Sequence, residues 1–282
     1  MRLLNVMTAD GPHLGIVKDG RTLDLTRKFA DEGLEVRQSD DLIRLYAHSP
    51  AQDLVGAPPL IEGLPVLPAV LHPEKIACAG LNYLEHARHA HLEPPESPCF
   101  FAKYTSALNG HGGTITPPRG TTKLDYEGEL AVVIGEGGRD IPEDDVYDHI
   151  FGVACANDVS ARDLQFRTSQ WLAGKTCDGF LPLGPCLVTL DEAGDPQDLR
   201  LRTWRNGGLV QDTRTSDMIF SIRRLIAELS HIVTLSPGDV VLTGTPSGPQ
   251  TEKADPDWLR DGDVVSVEIE GLGRLENTIR MP

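Results

Sequence analysis

The stretch LDYEGELAVVIG, residues 124–135, places Glu127 and Glu129 two positions apart at the head of an apolar run. Side chains alternate between the faces of a strand, so the two glutamates point the same way. Ala131 and Val133 continue their face, while Leu130, Val132 and Ile134 take the other. Both faces are apolar, which predicts a strand buried on both sides. Two like charges at the end of such a strand repel each other and lose hydration. They need a cation, a shared proton or solvent at the strand mouth. A third acid, Asp158, closes a second apolar run, FGVACAND. Three carboxylates with no nearby Cys or His cluster suit Mg²⁺, Mn²⁺ or Ca²⁺ and do not suit structural zinc. Such a set leaves coordination positions for water and substrate oxygens, as catalytic Mg²⁺ requires. The plain alternative is a solvated strand end carrying surface acids.

Other stretches offer single groups. WLAGKTCDGFLPLGP holds Lys175, a cation that beside an anionic metal site could bind a carboxylate or stabilise an enolate; alone it reads as a surface lysine. NYLEHARHAH carries His86, His89 and His91, candidates for a base near neutral pH or simply solvated histidines. SARDLQ supplies Arg162 and Gln165, which could anchor a carboxylate. GTPSG puts Thr245 in a turn whose backbone N–H groups could hold an anion.

The elements around these residues are mostly strands. HLGIVKDGRTLDLT predicts a hairpin turning at Asp19-Gly20, and TWRNGGLVQD another at Asn206-Gly207. A short helical pattern lies in DLIRLYAH. The clearest helix is in SDMIFSIRRLIAELSHIV, where Met218, Ile222, Leu225, Ile226 and Leu229 follow the helical spacing and Ser216 or Asp217 could cap it. Residues 56–75, rich in Pro and Gly, form a linker or irregular crossing, with a soft boundary near residue 70. The fold class expected is mostly β (α+β), with a small N-terminal domain over 1–70 and a catalytic domain over 71–282.

A chain of 282 residues with a net charge of −16 has the wrong field for nucleic acid or an anionic membrane as main partner. A small anionic substrate stays possible, because a local site can oppose the global field. No run approaches the length of a membrane span, and MRLLNVMTAD has no long apolar leader. Five cysteines without a C-x-x-C pair read as reduced, mostly buried thiols of a cytoplasmic protein.

Taken in order, GLNYLEHA, DYEGELAVVIG, NDVSARDLQ, GKTCDGFLPLGP, VQDTRTSDMIF, LTGTPSG and GDVVSVEIEGLG resemble the fumarylacetoacetate hydrolase family over roughly residues 71–282. The resemblance implies a rolled mixed β-sheet, usually dimeric. It implies Glu127, Glu129 and Asp158 as ligands of Mg²⁺ or Mn²⁺, Lys175 and His86 as catalytic residues, and Arg162, Gln165 and Thr245 near the substrate. It implies a small 2-oxo acid substrate, with His86 on a lid. One departure stands out. Family members with a His-based dyad carry a Glu where this chain has His89, and the next acid is Glu93. The expected reaction is hydrolysis of a C–C bond in an acylpyruvate-like or diketo acid. The alternative is decarboxylation or isomerisation of an oxaloacetate-like or 2-hydroxydienoic diacid, as in aromatic catabolism.

Overall fold

The computed structural model describes residues 1–46, 56–60, 62–89 and 95–282, without the side chains of 86, 87 and 89. The mostly β fold expected from the sequence is what forms. Strands in the order Arg21–Asp24, Gly11–Lys18, Arg2–Thr8, Leu181–Thr189, Ile150–Asn157, Gly128–Ile134, Val240–Leu242, Ile76–Gly80 and Cys99–Lys103 make one large mixed sheet. A second sheet runs Gly208–Arg214, Arg200–Arg205, Val264–Ile269, Gly273–Ile279 and Thr114–Ile115. A two-stranded pairing joins Leu124–Asp125 to Ser160–Ala161.

The carboxylate strand lies mid-sheet, antiparallel to Ile150–Asn157 on one side and Val240–Leu242 on the other. All its residues are buried. Ala131 and Val133 enter one core cluster, and Leu130, Val132 and Ile134 enter another. This two-sided burial is what the continuous apolar run predicts.

Asp19-Gly20 and Asn206-Gly207 both have positive φ and turn the two expected hairpins. The main helix spans Ile222–Ile232, not the longer run suggested by the spacing. Ser221 caps it, accepting from the N–H of Arg224 at 3.1 Å, in place of Ser216 or Asp217. Residues 215–217 form a separate 3₁₀ turn, and Met218 follows it in extended conformation. Met218 is still buried in the same core cluster, which is why it fitted the apolar period.

The first 70 residues add three strands to the large sheet through pairing of Arg2–Thr8 with Leu181–Thr189. Leu3, Leu14, Leu25 and Leu42 pack in one cluster with Cys78, Phe151 and Leu181. All five cysteines are free. Burial is less general than expected: Cys78 and Cys155 are buried, Cys177 and Cys186 are half-buried, and Cys99 is exposed.

Candidate metal centre

Glu127, Glu129 and Asp158 come together with one carboxylate oxygen each inside 4.8 Å of one another, all three buried. The strand pairing produces this. Asn157 lies opposite Gly128, and Asp158 follows the end of its strand with its N–H donating to the Glu127 carbonyl at 2.8 Å. Asn157 Oδ1 accepts from the Glu127 N–H at 3.0 Å and locks the two strand ends.

Cations surround the group. Lys175 ends the short helix Leu172–Lys175, and its ammonium donates to Glu127 Oε2 at 2.5 Å and Asp158 Oδ2 at 2.7 Å. It is buried, so the reading of a surface lysine fails. Burial alone would lower its pKa, but the Asp158 and Glu127 carboxylates raise it above the ordinary lysine value. Arg162 donates through Nη2 to Glu127 at 2.5 Å, through Nε to Asp125 at 3.0 Å and through Nη1 to Gln165 at 2.8 Å. Arg162 and Gln165 are therefore engaged with the protein's own groups beside the cavity.

Glu129 is held differently. Its Oε2 accepts from the Gly244 N–H at 2.8 Å. Burial, then the neighbouring Asp158 and Glu127 charges, push its pKa well above the usual carboxylate range. The GTPSG turn does hold an anion with a backbone N–H, and that anion is Glu129. Thr245 donates its hydroxyl to the Gly128 carbonyl at 3.0 Å and accepts from Gln211 at 2.9 Å. Gly244 has φ +97°, and a Cβ there would sit 2.8 Å from the Asn82 side chain. Asn82 in turn bonds the Thr243 carbonyl and both polar backbone atoms of Phe220.

A cavity of about 230 Å³ opens over the group. Glu127, Glu129, Arg162, Gln165, Lys175 and Thr245 line its polar side. Gly80, Leu81, Phe101, Phe166 and Trp171 contribute the apolar side. Trp171 packs edge-on to Phe101, with centroids 5.6 Å apart, and Lys175 stands 5.1 Å from the Phe101 ring centre. Leu81 has φ +55°, a left-handed conformation that is uncommon for a residue with Cβ and concentrates at functional sites.

His86 lies in the helix Leu84–His89, on the chain leaving the strand Ile76–Gly80. Its side chain and that of His89 fall outside the described residues, as do His91 and Glu93. The roles expected for them therefore have no geometry here.

Two buried charges escaped the reading of the sequence. Asp125 continues the alternation of Glu127 and Glu129 in LDYEGE, and that period was the available signal. It accepts from Arg162 and from the N–H groups of Tyr126, Gln250 and Thr251. Lys103 ends the strand Cys99–Lys103 on the same face as Phe101, with its ammonium on Asp158. A lysine closing an apolar strand was its only mark.

The donor set fits a divalent cation. It offers only carboxylate oxygens, which hard ions such as Mg²⁺ and Mn²⁺ prefer. It also leaves like charges buried side by side, with Glu129 poorly stabilised until something positive joins them.

The family profile for the fumarylacetoacetate (FAA) hydrolase C-terminal part matches residues 75–280. The chain belongs to the fumarylacetoacetate hydrolase family. It is 45% identical over 216 residues to an oxaloacetate tautomerase of Xenopus laevis described as mitochondrial, covering 76% of this chain and 68% of that one. Among solved structures, the fumarylacetoacetate hydrolase of Exiguobacterium antarcticum superposes with a TM-score of 0.90 at 34% identity, over 100% of both chains. A 5-carboxymethyl-2-hydroxymuconate delta-isomerase from Mycobacterium smegmatis matches with a TM-score of 0.80 at 33% identity, again over 100% of both. Family members bind divalent metals, and the buried Glu127, Glu129 and Asp158 group could hold one. Among the described residues no helix is long and apolar enough to cross a membrane.

Proposed function

We propose that the protein is a Mg²⁺- or Mn²⁺-dependent enzyme that interconverts keto and enol forms of a small 2-oxo diacid, oxaloacetate or a close analogue. The observation that carries this reading is the carboxylate group with Lys175 on its rim, under a cavity sized for a few carbons. The relative described as an oxaloacetate tautomerase and the isomerase among the structural neighbours support it.

Glu127, Glu129 and Asp158 would hold the cation, which when bound supplies a Lewis acid for a 2-oxo carboxylate. The chain's own residues do the rest. Tautomerisation removes a proton from C3 and places one on the C2 oxygen, so negative charge builds on that oxygen in between. Lys175 keeps its proton because two carboxylates face it, and its ammonium can stabilise that charge. Arg162 also holds Glu127, so the aim of Glu127 does not depend on Lys175 alone. Phe101 and Trp171 form an apolar wall beside Lys175, and low local polarity there strengthens these interactions.

Hydrolysis of a C–C bond, the first expectation from the sequence, needs an activated water. The family resemblance implies His86 for that role, and His89 stands where the orienting Glu would be. Without that acid, a reaction that consumes no water is the better fit to these residues. A homodimer belongs to the same reading, and light scattering would measure it. A reducing compartment, such as the cytoplasm, suits the free thiols.

The test is the decay of the oxaloacetate enol band in the ultraviolet, with Mg²⁺ and with EDTA. Acceleration that needs the metal supports the reading. No acceleration, with acetate released from acetylpyruvate instead, would replace it by the hydrolase.

A further inference from the structure

Lys103 is, among the described residues, the cation at the centre with no part in the reaction just described. Its side chain is fully buried, and its ammonium donates to Asp158 Oδ1 at 2.5 Å and to the Val159 carbonyl at 3.3 Å. Asp158 Oδ2 meets Lys175. The two lysines thus grip one carboxylate from both oxygens, but only Lys175 lines the cavity. Lys103 can influence a substrate only through Asp158 and through its charge.

The charges at the centre are unevenly matched. Among the described residues, and with all of them ionised, Asp125, Glu127, Glu129 and Asp158 face Lys103, Arg162 and Lys175, leaving one negative charge in excess. A divalent ion turns that excess into one positive charge. Without Lys103 the loaded centre would be neutral. All seven side chains are buried, where screening by salt is weak.

We propose that Lys103 is a positioning residue that fixes Asp158 as a metal ligand, and that its charge makes the loaded centre net cationic, so that the site prefers doubly charged acids over singly charged acids of equal length. This rests on the reading of the centre as a metal site for 2-oxo acids. A merely structural lysine would affect folding and treat both classes of acid alike.

The experiment uses the full chain and calorimetry, with Mn²⁺ first and then two unreactive four-carbon acids on the loaded protein. Malate carries two charges and 2-hydroxybutanoate one. Lys103→Gln keeps a donor toward Asp158 and loses the charge, whereas Lys103→Met loses both. The proposal expects Lys103→Gln to bind Mn²⁺ at least as tightly as wild type and Lys103→Met to bind it more weakly. In Lys103→Gln the preference for malate should fall about tenfold, the order of one unit charge acting across a partly buried site. An unchanged preference, an equal loss for both acids, or failure of both variants to fold would overturn it. If wild type takes Mn²⁺ but neither acid, the functional reading fails, while the Mn²⁺ comparison still decides the positioning role.

Discussion

Glu129 is the carboxylate of the group for which no ion pair is seen among the described residues. Glu127 has Arg162 and Lys175, and Asp158 has two lysines, while Glu129 has the Gly244 N–H. Its raised pKa follows from burial and the two like charges beside it. Glu129→Gln should therefore weaken Mn²⁺ binding by at least about a hundredfold, since even partners of ligands cost up to that much. It should leave the metal-free protein at least as stable as wild type, because a repelled charge is gone; calorimetry and a melting curve check the two halves. Lys175→Met should keep Mn²⁺ binding and lower enol turnover by about a hundredfold or more, the scale for losing a group that stabilises developing charge. Of these residues, Glu127, Glu129 and Asp158 could be picked out from type and position, and Lys175 only from the family resemblance. Asp125 and Lys103 carried weaker marks, the alternation of LDYEGE and the end of an apolar strand, because a buried charge looks like a surface one until its partner is brought from elsewhere in the chain.

Single elements set how well those side chains are aimed. The Gly244 turn has to pass Asn82 with φ +97°, so Gly244→Ala meets both backbone strain and the 2.8 Å contact. That change should loosen the N–H on Glu129 and weaken Mn²⁺ binding, a loss visible by calorimetry in protein that still folds. Ser221→Ala removes the cap of the helix Ile222–Ile232 far from the centre, and should cost about 1 kcal/mol in denaturant melts with Mn²⁺ affinity unchanged. The hairpins were legible because Asp-Gly and Asn-Gly carry their own turn geometry. The helix start was not, because apolar period reports burial, and Met218 is buried by a neighbouring turn.

At the scale of the molecule, a central strand carries the acids, and both sheet faces bury it. That rigid setting is what makes burying four carboxylates with three cations tolerable, and it ties stability to pH. A carboxyl whose folded pKa is raised binds more protons folded than unfolded, so it stabilises below its ordinary value of 4.5 and loses that contribution as pH rises through the raised value. The metal-free protein should thus lose stability as pH rises above about 4.5, as far as Glu129 decides it. Added Mg²⁺ should raise the melting temperature more at neutral pH than at pH near 5, because the ion needs the ionised carboxylates. The sheet-rich class was readable from alternation and turn signals. The addition of the first three strands to the large sheet was not, since pairing between Arg2–Thr8 and Leu181–Thr189 spans most of the chain. The measurement that bears most directly on the account is the rate of oxaloacetate enol–keto conversion in wild type and Glu129→Gln, each with Mg²⁺ and with EDTA. Fast conversion is expected only in wild type with Mg²⁺. Equal rates in EDTA, or full activity in Glu129→Gln, would contradict it.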